Sequence, residues 1–152
     1  MYEIDTKNSI IVMKYIEGEK LKDALDSLDN SRKEEIFKKI GRFIAILHMN
    51  GQIHGDITTS NIILTKNQKI FFIDFGLHEY SDSIEDKSVD LHLLKRILIS
   101  THGKDFNMCF NAFLIGYKSE YNKTSKQECN QIIKNIKVIE TRGRYVKKEE
   151  RL

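Results

Sequence analysis

Hydrophobic positions along the chain follow two rhythms, and the changes from one to the other predict the order of its elements. Two short β-like runs come first, YEI at Tyr2 to Ile4 and SIIVM at Ser9 to Met13, and the polar stretch Asp5 to Asn8 between them predicts a hairpin. Gly18 breaks the chain, and beyond it Leu21, Ala24, Leu25 and Leu28 keep the spacing of one helical face. Ser31 followed by Glu34 has the form of a capping box. It predicts a helix with Ile36, Ile40, Phe43, Ile44 and Leu47 on its apolar face, ending at Asn50-Gly51. The rhythm then returns to strands: NIIL at Asn61 to Leu64 and KIFFID at Lys69 to Asp74, parted by the turn-like Lys66 to Gln68, predict a second hairpin. Asp90 to Ile99 and Phe106 to Tyr117 read as well-buried helices. A last helix is expected from Ser125, with Glu128 as its acidic partner, through Cys129, Ile132, Ile133, Ile136 and Ile139. The closing TRGRYVKKEERL reads as a charged tail that frays.

Short hairpins interspersed with long helices predict an α+β chain. Its 152 residues are enough for one domain with a real core. Charged residues make up 31% and apolar residues 40%, the balance of a soluble protein, and no apolar run approaches the ~20 residues that span a bilayer. The N-terminus lacks the layout of a secretory signal, and Cys109 and Cys129 form neither a disulfide framework nor a metal motif. A cytoplasmic setting with both thiols as core fillers is expected. The formal charge of +3 is uneven: after Tyr117 ten Lys/Arg stand against five Asp/Glu, so residues 1–117 carry −2. That surplus suits an anionic partner such as RNA, or simply a solvated lysine-rich helix face.

The candidate chemistry flanks the second hairpin. HGDITTSN spans His54 to Asn61, and DFG begins thirteen residues later at Asp74. Phosphoryl transfer from ATP needs hard oxygen ligands for Mg²⁺ and a carboxylate to orient the attacking oxygen. Asn61 and Asp74 sit at the two ends of the predicted hairpin, so antiparallel pairing brings an amide oxygen and a carboxylate side by side. Asp56, on the loop leading in, faces the same cleft.

An aspartate, four intervening residues, an asparagine, a β-hairpin and then DFG resemble the catalytic elements of the eukaryotic-type protein kinase fold. The resemblance makes Asp56 the base or orienting carboxylate, and Asn61 and Asp74 the Mg²⁺ ligands. It aligns SIIVMKYIEG with the strand and hinge between the two kinase lobes, with Met13 as gatekeeper, the backbone of Lys14 and Ile16 against adenine, and Ile63 as the floor of that pocket. Asp90 takes the place of a buried aspartate that hydrogen-bonds the catalytic-loop backbone, and His54 packs beneath DFG. The other histidines, His48, His78, His92 and His102, show no zinc spacing and are read as structural or exposed.

The variant HGDITTSN, with FIDFGL at Phe72 to Leu77, EDKSVDLHLLKR at Glu85 to Arg96 and STH at Ser100 to His102, is similar to the small atypical kinases of the KEOPS complex, the PRPK-type or piD-type group. That resemblance covers Tyr2 to about Arg142. It implies an ATP-dependent serine/threonine kinase or ATPase working with a Kae-type threonylcarbamoyltransferase and other KEOPS subunits on threonylcarbamoyl-adenosine in tRNA. It divides the chain into a kinase-like domain at 1–141 and a basic tail at 142–152. Within the domain, 1–13 is a remnant of the N-terminal lobe, 14–18 the hinge and 19–141 the C-terminal lobe. Gly55 replaces the arginine that binds a phosphorylated activation loop, and Thr58 replaces a phosphate-contacting lysine. Only thirteen residues separate Gly76 from Asp90, too few for the usual peptide platform. No glycine-rich loop, strand lysine or helix glutamate precedes Met13, so slow ATP turnover by this chain alone is expected. Two alternatives are a non-catalytic scaffold for the partner and tRNA, and a small-molecule phosphotransferase. In the tail, Arg142, Arg144, Lys147 and Lys148 around Tyr145 are candidates for tRNA phosphate contacts.

Overall fold

The computed structural model describes residues 3–149, and the side chains of residues 3–142. Strands β1 (Glu3–Asp5) and β2 (Ile10–Val12) pair antiparallel as the first predicted hairpin. Asp5 shapes its turn: the carboxylate accepts from the Lys7 and Asn8 amides and from Asn8 Nδ2, and these bonds, that of the Asn8 side chain foremost, hold it below the usual carboxylate range. Nothing covers this ribbon among the described residues, and Ile4, Ile10, Ile11 and Val12 are all exposed. Residues 14–18 then lead into β3 (Glu19–Lys20), which adds to the second hairpin, β5 (Ile62–Leu64) and β6 (Ile70–Phe72), in the order β3-β5-β6. The shorter strands β4 (Gln52–Ile53) and β7 (Glu79–Tyr80) pair with each other.

Five helices supply the body: α1 (Leu21–Ala24), α2 (Asn30–Met49), α3 (Ile84–Thr101), α4 (Phe106–Tyr121) and α5 (Lys126–Glu149). Several boundaries differ from the sequence reading, each for a local reason. The Leu21–Leu28 face is one turn of α-helix followed by a 3₁₀ turn, Leu25–Ser27, although its apolar residues still point inward. Helix α2 opens two residues before the expected Ser31. Asp29 is the cap, accepting from the Arg32 amide at 2.9 Å, and Glu34 pairs forward with Lys38 instead of reaching back. A carboxylate at this position adds favourable interaction with the helix dipole to the capping bond. Helix α3 begins at Ile84, well before Asp90, because the Ser83 hydroxyl caps it by accepting the Asp86 amide at 3.0 Å; Lys87 and Ser88 on its buried face mask the apolar rhythm of these first turns. The Lys87 ammonium is satisfied there by Glu128 at 2.8 Å and by the Tyr121 hydroxyl at 3.1 Å. Ser125 does receive the Glu128 amide as expected, and α5 continues to Glu149 through the stretch read as a fraying tail; its side chains from Gly143 onward lie outside the described residues.

The core lies where α2 and α4 cross. Phe106, Phe110, Phe113, Tyr117 and Tyr121 repeat every three or four residues along α4 and pack ring against ring in sequence, the first four stacked and the last pair tilted, with centroids 5.4–6.1 Å apart. Opposite them stand Ile36, Phe37, Ile40 and Ile44 of α2, all fully buried. Two glycines set the spacing of the helices. A methyl on Gly41 would lie 2.1 Å from the Phe113 carbonyl oxygen, and one on Gly116 would lie 2.0 Å from that of Lys38. Both buried cysteines sit beside this core as free thiols, and burial pushes that of Cys109 up to about 12.

Gly116→Ala should therefore force the helices apart and destabilise the chain by about 1–3 kcal/mol, read as a lower urea midpoint at unchanged slope.

Candidate active site

The loop from His54 to Asn61 is held from beneath by one carboxylate. Asp90, on the second turn of α3 and 2% exposed, accepts the His54 amide on Oδ2 and the Gly55 amide on Oδ1, both at 3.0 Å. His48, from the end of α2, meets the same Oδ2 through Nε2 at 3.0 Å. Its Nδ1 lies 2.9 Å from the Tyr117 hydroxyl of α4. A consistent assignment has Tyr117 donating to His48 and His48 donating to Asp90; burial raises the Tyr117 pKa well above normal, so the phenol keeps its proton. Asp90 thus fills the structural position assigned to it, with His48 and Tyr117 behind it.

Above this anchor the backbone is unusual at two points. Gly55 has φ +81°, and a β-carbon there would lie 2.2 Å from the Leu77 carbonyl oxygen, so no side chain, least of all an arginine, fits. Asp74 has φ +60°, a left-handed conformation tolerated by aspartate, with Oδ1 accepting from the Gly76 amide at 3.3 Å. Between these points, the His54 ring packs against Phe75 with centroids 4.4 Å apart and planes tilted by 36°, beneath DFG as expected. Its Nδ1 accepts the Asp56 amide at 3.3 Å, which leaves the proton on the buried Nε2; burial lowers the His54 pKa and favours this neutral ring.

The three residues singled out for chemistry come together to different extents. Asn61 ends a 3₁₀ turn, Thr59–Asn61, and its Nδ2 donates to the Asp56 carbonyl at 3.1 Å and to Asp56 Oδ2 at 2.8 Å. With both amide hydrogens on Asp56, Asn61 Oδ1 is left as a free oxygen donor. The hairpin brings in Asp74: the Asn61 carbonyl accepts from the Ile73 amide at 2.9 Å, so Asp74 is the residue next to that bond, and it is exposed. A cluster of three His, Cys, Asp or Glu suited to a metal is absent among the described residues. The donors here are two carboxylates and an amide oxygen, a set that suits a hard cation also held by phosphate oxygens.

The residues assigned to adenine are less convergent. Met13 follows β2 and is 64% exposed. Lys14 and Ile16 line a groove of about 320 Å³ with the β5–β6 turn, and Ile63 is not part of its wall. The hinge segment reaches Ile63 through Gly18 instead, where a β-carbon would come within 2.6 Å of the Ile63 Cγ2 methyl. Sequence reasoning missed two supporting contacts. One is the His48–Tyr117 relay. The other joins the buried Thr59 hydroxyl to His102 Nε2 at 3.1 Å, linking the TTSN and STH stretches.

Residues 1–112 match the model of the ABC1 atypical kinase-like domain. The chain belongs to this kinase-like family. Among its relatives, the KEOPS complex subunit Bud32 of Pyrococcus abyssi is 48% identical over 145 residues, covering 95% of this chain and 64% of that protein. Two probable bifunctional tRNA threonylcarbamoyladenosine biosynthesis proteins, from Methanobrevibacter smithii and Methanocaldococcus jannaschii, are 42% and 40% identical over 145 and 147 residues. These alignments take in 95% and 96% of this chain. The chain therefore spans under two-thirds of the first relative and only 25% of the other two. Among the described residues no helix is long and apolar enough to cross a membrane.

Two outcomes follow from this geometry. Asp90→Ala strips the acceptor from two backbone amides and a buried histidine, and should cost about 3 kcal/mol or more in a denaturation experiment. Burial holds His54, His92 and His102 below the ordinary histidine pKa. Below about pH 6.5 the unfolded chain then binds protons that the folded chain refuses. Stability should be fully present above that pH and decline as pH falls toward the depressed folded values, measured by thermal melts at a series of pH values.

Proposed function

We propose that this chain is an ATP-dependent phosphotransferase or ATPase of the KEOPS type, a serine/threonine kinase relative that supports formation of threonylcarbamoyl-adenosine in tRNA. The bond from Asn61 Nδ2 to Asp56 Oδ2 carries this reading, with Asp74 one residue past the backbone bond from Ile73 to Asn61. Asp56 orients the attacking hydroxyl, whether of water or of a protein. Asn61 and Asp74 would hold Mg²⁺, which supplies charge neutralisation on the transferred phosphoryl group. Asn61 does double duty, since the amide hydrogens that fix Asp56 leave its oxygen for the cation. Met13, Lys14, Ile16 and Ile63 are the adenine-side residues in this reading. The Gly18 contact, which ties the hinge segment to Ile63, supports it.

The partner in this proposal is a Kae-type threonylcarbamoyltransferase, with other KEOPS subunits beside it. Two observations support it. The relatives called bifunctional carry the matched segment within a much longer chain. The exposed apolar face of the β1–β2 ribbon also suits a protein surface. A cytoplasmic setting is supported by the two free cysteines. Basic residues from Arg142 onward are proposed for tRNA phosphates. Arg142 bonds Glu85 at 2.8 Å, and the side chains of Arg144, Tyr145, Lys147 and Lys148 lie outside the described residues. The exposed ribbon also favours a second reading, a scaffold that holds partner and tRNA without turning over ATP.

Asp56→Asn and Asp74→Asn separate the two. Each should lower ATP hydrolysis by about 10²-fold or more in the presence of the partner, with Asp74→Asn also weakening Mg²⁺-ATP binding. Unchanged hydrolysis in both variants would discard the enzyme reading and leave the scaffold.

A further inference from the structure

Helix α3 holds the loop that carries Asp56 and Asn61 at two points twelve residues apart, Asp90 near its start and His102 at its C-terminal cap. The second point has a construction of its own. Thr59 opens the 3₁₀ turn that ends at Asn61, is fully buried, and places its hydroxyl 3.1 Å from His102 Nε2. His102 has little freedom to follow any movement of that turn. Its amide donates to the Leu98 carbonyl at 2.9 Å, and its carbonyl accepts the Asp105 amide at 2.9 Å. Asp105 is in turn paired with Lys33 of α2 at 2.7 Å, with both side chains nearly buried. The imidazole is thus mounted on a backbone fixed to α2 and α4.

Past the turn, the Asn61 carbonyl is tied to the ribbon by the Ile73 amide at 2.9 Å; within it, the Asn61 amide donates to the Thr58 carbonyl at 3.0 Å, and the side-chain amide is committed to Asp56. The turn itself is one 3₁₀ unit, a conformation with poor hydrogen-bond geometry that needs outside support. We propose that His102 is a positioning residue for Asn61: through the Thr59 hydroxyl it fixes the turn, and the turn fixes the amide that orients Asp56 and offers Oδ1 to the cation. The inference rests on reading Asn61 as a cation ligand. Loss of an outer contact that orients a ligand typically weakens metal affinity by about tenfold or more. A role confined to stability would lower the melting temperature and leave affinity alone.

The test uses the full chain with Mn²⁺-ATP as probe, together with amide hydrogen exchange. His102→Ala and the near-isosteric Thr59→Val should each weaken Mn²⁺-ATP binding by about tenfold and speed exchange at the Asn61 amide. His102→Gln extends a polar group to about the reach of Nε2, and Thr59→Ser keeps the hydroxyl; both should recover most of the wild-type values. The double variant Thr59→Val with His102→Ala should be no weaker than either single one, because both remove the same contact. The proposal is overturned if His102→Ala and Thr59→Val lower only the melting midpoint, with affinity and exchange unchanged. Asp74→Asn is the separate control. Wild-type Mn²⁺-ATP affinity in that variant would remove the cation site itself, whereas the exchange measurement still reports whether His102 holds the turn.

Discussion

The catalytic-looking loop depends on the buried carboxylate of Asp90. An ionised carboxylate out of contact with water is unfavourable unless its oxygens are filled with donors. Here two backbone amides of the loop and the His48 ring fill them. The need runs both ways. The His54 and Gly55 amides sit in a turn that no sheet or helix ladder can satisfy, so the loop takes this path only with Asp90 beneath it. Tyr117 and His48 fix the aromatic ladder of α4 and the end of α2 to the same point, so the α2–α4 core supports the candidate site.

From that base, the positions of the candidate residues Asn61 and Asp74 follow from strand pairing. Register in the β5–β6 ribbon puts Ile62 opposite Phe72, which leaves Asn61 and Ile73 as the next pair and Asp74 just past the end. A slip of one residue would exchange the faces of the ribbon and part the two groups. The register is held by the fully buried Ile62 on one strand, with Leu64, Ile70 and Phe72 packed against the same core. Ordinary hydrophobic burial thereby places a polar site.

Much of this was legible in the sequence, and what was not has a common physical cause. Periodic apolar spacing announced α2, α4 and the start of α5, and the spacing of Asp56, Asn61 and Asp74 pointed to the candidate site. Reading failed where buried faces carry polar residues. Lys87 and Ser88 hid the first turns of α3, and Asp29 took the cap that Ser31 and Glu34 seemed to claim. His48 and His102 could be read only as structural or exposed, since their partners Asp90, Tyr117 and Thr59 lie 42, 69 and 43 positions away in the chain. Long-range polar pairs leave no periodic trace. The groove beside Lys14 and Ile16 was likewise not evident, because it depends on where the β5–β6 turn falls.

The close approach of Gly55 to the Leu77 carbonyl also bears on motion. Many switchable sites work by letting the segment after the metal-binding aspartate swing away from the loop that carries the orienting carboxylate. Here the two backbones meet with room for a hydrogen atom and little else, and the β4–β7 pair joins the same segments a few residues further along. Outward motion of one would have to part the β4–β7 pairing and open the space above Gly55 to water, so the two segments hold their relative placement through that short ribbon.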